Sequence, residues 1–242
     1  MNIPSFISLV RSRLQRSDPA STGYSMKHQH RSAVLSEAGA SIVEIVIALV
    51  IIAILSAISL PYVVNYKKLY KSEDQALKMI DLMREAAQVA ITERRTIRFE
   101  IDLTDNAVLL IDQSLSASGN LIKKIPLEET QEIRVDRIPD GITKPNPPNY
   151  NDITFSLDAI GHLDGTTTVN GHTVWAARFK RDGSVTNTAD TPISANIYIW
   201  PPVELGSTTA RRDTEIRAIT MFGGSGAVRY WKYDSTEFVP NQ

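Results

Sequence analysis

The chain contains no cysteine, so no disulfide closes any of its loops and no zinc or redox site can use thiolate. It also lacks a basic surplus. Its 26 Lys and Arg face 27 Asp and Glu, a net charge of −1, which recommends neither nucleic acid nor an acidic substrate. Histidine is scarce: of four, His28 and His30 lie near the N-terminus, while His162 and His172 flank two glycines and read as surface loop rather than metal ligands. No phosphate loop or dinucleotide fingerprint occurs. Gly223-Gly224-Ser225-Gly226-Ala227 misses the G-x-S-x-G nucleophile elbow at its last position. Asp182 and Asp190 bracket a polar loop that matches no calcium-loop spacing, so turn chemistry is expected of them. No enzyme activity, cofactor or metal is expected.

Against these absences stands one long apolar run, Ala40–Leu60, interrupted only by small hydroxyl residues and one carboxylate, Glu44. About 20 apolar residues at roughly 1.5 Å rise cross the ~30 Å hydrocarbon core of a bilayer. A carboxylate near the centre of such a helix costs a few kcal/mol, so Glu44 is a candidate functional residue. The run begins after Gly39 and stops at Pro61, which removes a helix donor and kinks the axis. A secretory signal peptide cleaved near Ala57-Ile58-Ser59 would have a shorter apolar core and no acid in it. An ordinary single-pass anchor is the other reading. Lys27 and Arg31 precede the run and Lys67, Lys68 and Lys71 follow it, so the flanking charges do not decide its orientation.

Gly39, Ala40 and Glu44 together resemble the class III signal of type IV pilins and type II secretion pseudopilins. In that family a membrane-embedded prepilin peptidase cuts after the glycine and methylates the new N-terminus, and the acid is the fifth mature residue. The resemblance implies cleavage between Gly39 and Ala40, N-methylation of Ala40, and a role for Glu44 in subunit assembly, where it attracts the N-terminus of a neighbour. Ala40 stands where the family usually has Phe or Met, and the leader is longer than most. Pro61 matches a proline that such pilins commonly carry. The implied partners are the prepilin peptidase, other major and minor pilins or pseudopilins, and membrane lipid. The implied location is the bacterial inner membrane, single-pass, with the head in the periplasm. The leader holds five cations and two carboxylates, so its removal takes the net charge from −1 to −4.

Four segments are expected: a cleaved leader at 1–39, a transmembrane half-helix at 40–60, an amphipathic half-helix at 61–94 and a β-rich head at 95–242. Ala76, Ile80, Met83, Ala87 and Ala90 recur at helical spacing and make one apolar stripe, with Lys78, Asp81, Arg84, Glu85 and Gln88 on the other faces. A helix from Ala40 to about Thr92 would be on the order of 80 Å long. From Thr96 the period changes. Ile97, Phe99, Ile101 and Leu103 alternate with Arg98, Glu100 and Asp102 as in a half-buried strand, and Asp105-Asn106 turns the chain into a second strand at Ala107–Asp112. Residues 113–130 read as a polar connection and Lys144–Asn151 as a stiff proline loop. Further strands are expected at Ile133–Ile138, Asp152–Leu157, Thr173–Lys180, Ile197–Trp200, Glu215–Met221 and Ala227–Tyr233, with turns at Gly161–Gly165, Arg181–Gly183 and Gly223–Gly226.

The fold class is therefore α+β: a long N-terminal helix, transmembrane in its first half, packed by its second half on an antiparallel sheet or sandwich. This order resembles the GspH/FimT family of minor pseudopilins and minor pilins. Phe179-Lys180-Arg181-Asp182-Gly183-Ser184 is similar to that family's aromatic-x-x-Asp-Gly-Ser turn, and Ile219–Val228 to its last hairpin. The resemblance implies a pilin fold and a structural subunit of a secretion pseudopilus or type IV pilus. Its alternative is a pilus-tip module for DNA uptake, with Arg211, Arg212, Arg217, Arg229 and Lys232 as DNA contacts and Tyr230 and Trp231 for base stacking. Asp213, Glu215, Asp234 and Glu237 nearly cancel those cations, as on a solvated mixed-charge face.

Overall fold

The computed structural model describes residues 41–146 and 150–240, so the leader, Gly39 and Ala40 lie outside the described residues. Among the described residues one α-helix, α1 (Ile42–Thr92, 51 residues), is followed by strands, loops and a single turn of 3-10 helix at Asp213–Glu215. By compactness the chain divides within α1, at Leu49 and Val50. The described part of the first unit is Ser41 and the opening turns of α1, and the second unit holds the rest of α1 and every strand. α1 runs through Pro61, where the sequence places a kink, and ends at Thr92 as its periodicity leads one to expect. There Arg94 takes a left-handed conformation (φ 53°), and the Arg95 amide donates back to Ala90 O at 3.2 Å, so the chain reverses without a glycine.

The strands are β1 (Ile97–Asp102), β2 (Ala107–Asp112), β3 (Asn120–Pro126), β4 (Arg134–Asp136), β5 (Asn151–Asp152), β6 (Ser156–Leu157) and β7 (His162–Asp164). They continue with β8 (Thr167–Val169), β9 (Thr173–Phe179), β10 (Val185–Thr186), β11 (Ala195–Trp200), β12 (Arg217–Met221), β13 (Val228–Tyr233) and β14 (Phe238–Pro240). One sheet has the order β10-β9-β1-β2-β3-β7-β8, with β6 also on β9; the other is β14-β13-β12-β11-β4, with β5 also on β11. Pairing is antiparallel except for β5 with β11 and β3 with β7.

The expected helix stripe is the core. Ala76, Ile80, Met83 and Ala90 are buried, joined by Met79, Leu82 and Ala86, while Ala87 is half-buried. They share one cluster with Ile97, Phe99 and Ile101 of β1, Val108 and Leu110 of β2, and Ile197, Ile199 and Ile219 of the second sheet. α1 thus buries its stripe against residues of both sheets. Polar ties secure the start of this packed part. Ser72 Oγ donates to Glu215 O at 2.7 Å, Gln75 Oε1 accepts from the Glu128 amide at 3.0 Å, and Lys71 pairs with Glu128 at 3.0 Å and with Glu132. Because burial of α1 begins at Ser72 among the described side chains, a fragment starting at Lys67 is expected to be soluble, with a cooperative urea transition and a defined near-ultraviolet dichroism spectrum. An insoluble or molten fragment would place the boundary elsewhere.

Several expectations need correction. Residues 113–130 are not merely a connection, because β3 pairs with β2 along Asn120–Pro126; its exposed Lys123 and Lys124 hide the strand from a search for apolar alternation. The Gly161–Gly165 turn contains β7, and β8 follows it as a hairpin. The chain continues past the β12–β13 hairpin into β14, paired with β13. Finally, β1 is buried on both faces and His162, on β7, is only 3% exposed, whereas His172 stays in the loop before β9, half-buried, with its Nδ1 2.6 Å from Asp102 Oδ2.

Candidate functional site

The part of α1 from Ile42 to Leu60 buries nothing. Its 19 residues are long and apolar enough to cross a membrane, and its large aliphatic side chains are each at least half exposed. An apolar surface this continuous is unstable in water and needs lipid or other helices around it. Glu44 lies in the first turn, where Ser41 O accepts from the Glu44 amide at 2.9 Å and the Ile45 amide at 3.1 Å. The positive end of the helix dipole favours a carboxylate at this position. The Glu44 side chain is exposed and has no partner among the described residues. Gly39 and Ala40, expected as the cleavage and methylation site, lie outside the described residues.

Past the apolar stretch, Tyr62, Tyr66 and Tyr70 recur every fourth residue and all are exposed. The rings of Tyr66 and Tyr70 have centroids 4.8 Å apart, and their hydroxyls are 3.1 Å from one another. The sequence reading missed this aromatic stripe, although the four-residue spacing is plain in the sequence. Tyrosines immediately beyond an apolar span suit the headgroup layer, with ring in the interface and hydroxyl in water.

The cations proposed for DNA are spoken for. Glu73 of α1 receives Lys232 at 2.6 Å and Arg217 at 3.4 Å, so two of the five tie the helix to β13 and β12. Burial alone would raise the Glu73 carboxyl, but these two cations hold it below the usual carboxylate range. Arg212 and Arg211 lie 2.5 and 4.0 Å from Glu215. Only Arg229 has no carboxylate partner among the described residues, and its guanidinium sits over the rings of Trp231 and Phe222 at 5.4 and 5.7 Å. The two stacking aromatics are a correction. Tyr230 and Trp231 are buried, and Trp231 Nε1 donates to Thr220 Oγ1 at 2.9 Å, so neither offers a face to a base. Asp182 accepts from the Ser184 amide and hydroxyl at 3.0 and 2.7 Å and so serves its own turn, while Asp190 pairs with Lys180 at 2.6 Å and ties its loop to the end of β9.

Two places bring carboxylates and a histidine together. In one, Glu100, Asp158 and His162 surround the buried Arg98, which already supplies a cation there. In the other, Asp102 gives one oxygen to the Thr104 and Asp105 amides and the other to His172, while Asp105 holds Lys124 at 2.7 Å. The first is built around Arg98, and the second is held by backbone amides, His172 and Lys124. No family model, curated protein or solved structure matches the chain.

Proposed function

We propose that this chain is a structural subunit of the type IV pilin and pseudopilin kind: a minor pilin or pseudopilin, processed by a prepilin peptidase and built into a filament through α1. One observation carries the reading. A single continuous helix presents a wholly exposed apolar stretch with one carboxylate in its first turn, then buries an amphipathic stripe in a β-rich head. An ordinary anchor has no need of Glu44, and a soluble domain has no need of Ile42–Leu60. On this reading the stretch rests in the inner membrane before assembly and against neighbouring helices afterwards. The head contributes surface rather than catalysis, in either a secretion pseudopilus or a type IV pilus.

Mature protein purified from membranes should begin at a methylated Ala40 by N-terminal sequencing and mass spectrometry. Gly39→Val should leave a full-length membrane protein that enters no filament, because a β-branched side chain obstructs the peptidase cleft. Any other first residue in the wild type sinks the class III reading.

A further inference from the structure

The outer face of the first sheet carries a buried ionic layer. Arg98, Glu100 and Asp102 alternate along β1 and are all fully buried. Residues 158–172 leave β6 at the β9 edge, reach β7 beside β3, turn through β8 and come back to β9. This strap has little backbone pairing with the sheet, since β7 meets β3 at the single pair Asn120 and Leu163. Its ties to β1 are polar. Arg98 Nη2 donates to Gly161 O at 2.8 Å and lies 3.8 Å from Asp158. Asp102 Oδ2 is 2.6 Å from His172 Nδ1, and Glu100 Oε1 is 3.8 Å from His162 Nδ1. The outgoing and returning legs are packed together, for a Cβ on Gly161 would lie 2.4 Å from Val169 O.

The charges at this layer do not balance. Glu100, Asp102 and Asp158 face one permanent cation, Arg98. Other cations nearby are engaged: Arg178 on β9 is 3.5 Å from Asp190, and Lys124 on β3 is 2.7 Å from Asp105, which itself lies 3.8 Å from His172. Closing the strap with every carboxylate charged encloses excess negative charge where like charges repel strongly. The remaining offset is protons, on His172, on His162 or on Glu100, neither of whose oxygens accepts a hydrogen bond.

We propose that residues 158–172 form a proton-gated strap, closed over the first sheet in mild acid and released as pH rises through neutrality. Release uncovers the small apolar cluster of Ala107, Leu109 and Ile111, which shares the Glu100 face because Glu100 pairs with Leu109. Burial pushes the Glu100 carboxyl up to about 7, against the pull of Arg98. The hydrogen bond to Asp102 raises His172, and burial lowers His162. A raised group stabilises the closed state below its ordinary value and loses that stabilisation as pH climbs through the raised one, so Glu100 and His172 both loosen the strap toward alkaline pH. His162 acts oppositely, withdrawing stability as pH falls below about 6.5. Its opposing contribution fades as pH climbs past about 6.5, so from there to about pH 8 Glu100 and His172 set the sign of the change.

The test is hydrogen exchange of the full chain in detergent, read by peptide across that window and corrected for intrinsic exchange. Each linked proton changes the closing equilibrium by at most tenfold per pH unit, so strap protection should fall about three- to tenfold relative to β12. Glu100→Gln and His172→Gln should each flatten part of this slope, whereas a purely structural loss would lower protection equally at every pH. Wild-type strap protection that stays constant relative to β12 overturns the gate. So does a full slope surviving in both variants.

Discussion

Gly223→Ala is expected to destabilise the head by about 3 kcal/mol, while Gly224→Ala, one residue on, changes it by less than about 0.5 kcal/mol. An added Cβ on Gly223 would fall 2.2 Å from Ile193 O and 2.7 Å from the Ile193 carbonyl carbon. These are backbone atoms, which cannot swing aside as a flexible side-chain tip would. The Gly223 backbone is also engaged on both sides: its amide donates to Ser194 Oγ at 2.9 Å, and its carbonyl accepts from the Val185 amide at 2.7 Å. Ile193 in turn donates to Val185 O at 3.1 Å, so displacing it breaks the junction between β10 of one sheet and the β12–β13 turn of the other. At Gly224 a Cβ meets nothing within 4 Å, and its φ is not in the left-handed range. For a head of this size about 3 kcal/mol corresponds to roughly 6–12 °C in Tm. Thermal melts of the two variants beside wild type give the comparison. Equal melting temperatures would mean that the Ile193 segment yields freely.

The helix and the central strands were legible because their residues carry a period. Ala76, Ile80, Met83 and Ala90 recur at helical spacing whatever packs on them, and the alternation in Ile97–Asp102 marks a strand unaided. What that alternation could not show is that its polar face is also buried. Arg98, Glu100 and Asp102 look like a solvated face because such residues usually are one, and their cover comes from residues 158–172, a long-range contact without local signal. The same cause hid His162. Trp231 was misplaced for a related reason. Its strand reads equally well with either face outward, and only the packing of Tyr198, Trp200, Ile216 and Phe238 around it shows that the second sheet's outer face is covered as well. β3 was missed because its stability comes from pairing with β2, which its own lysines do not advertise. At the candidate site, Glu44 and the apolar run were legible outright, since length and hydropathy are local properties. The role of Arg217 and Lys232 as anchors for Glu73 was not, because the three residues meet only after the chain has folded.

Glu44→Ala is expected to leave processing and membrane insertion intact while reducing co-purification with partner pilins about tenfold or more. Removing the acid makes the apolar stretch more hydrophobic, so insertion can only become more favourable. Folding of the head should be untouched, because Glu44 is exposed and precedes Ser72, where burial of α1 begins among the described side chains. The loss falls on docking. In the proposed filament the carboxylate meets the new amine of a neighbour's Ala40 in apolar surroundings, and removing one partner of such a pair costs several kcal/mol because the other is left charged and unpaired. A loss of only 1.4 kcal/mol already lowers capture tenfold. Glu44→Gln separates the contributions, since it keeps the shape and a hydrogen-bonding group but loses the charge. If the ionic pair matters, Glu44→Gln behaves like Glu44→Ala; if a hydrogen bond is enough, it assembles nearly as wild type. Capture of tagged partner subunits from detergent-solubilised membranes, with equal amounts of each processed variant, reads out the difference. Undiminished capture of both would show that Glu44 does not join subunits, and that the apolar face of Ile42–Leu60 alone holds them together.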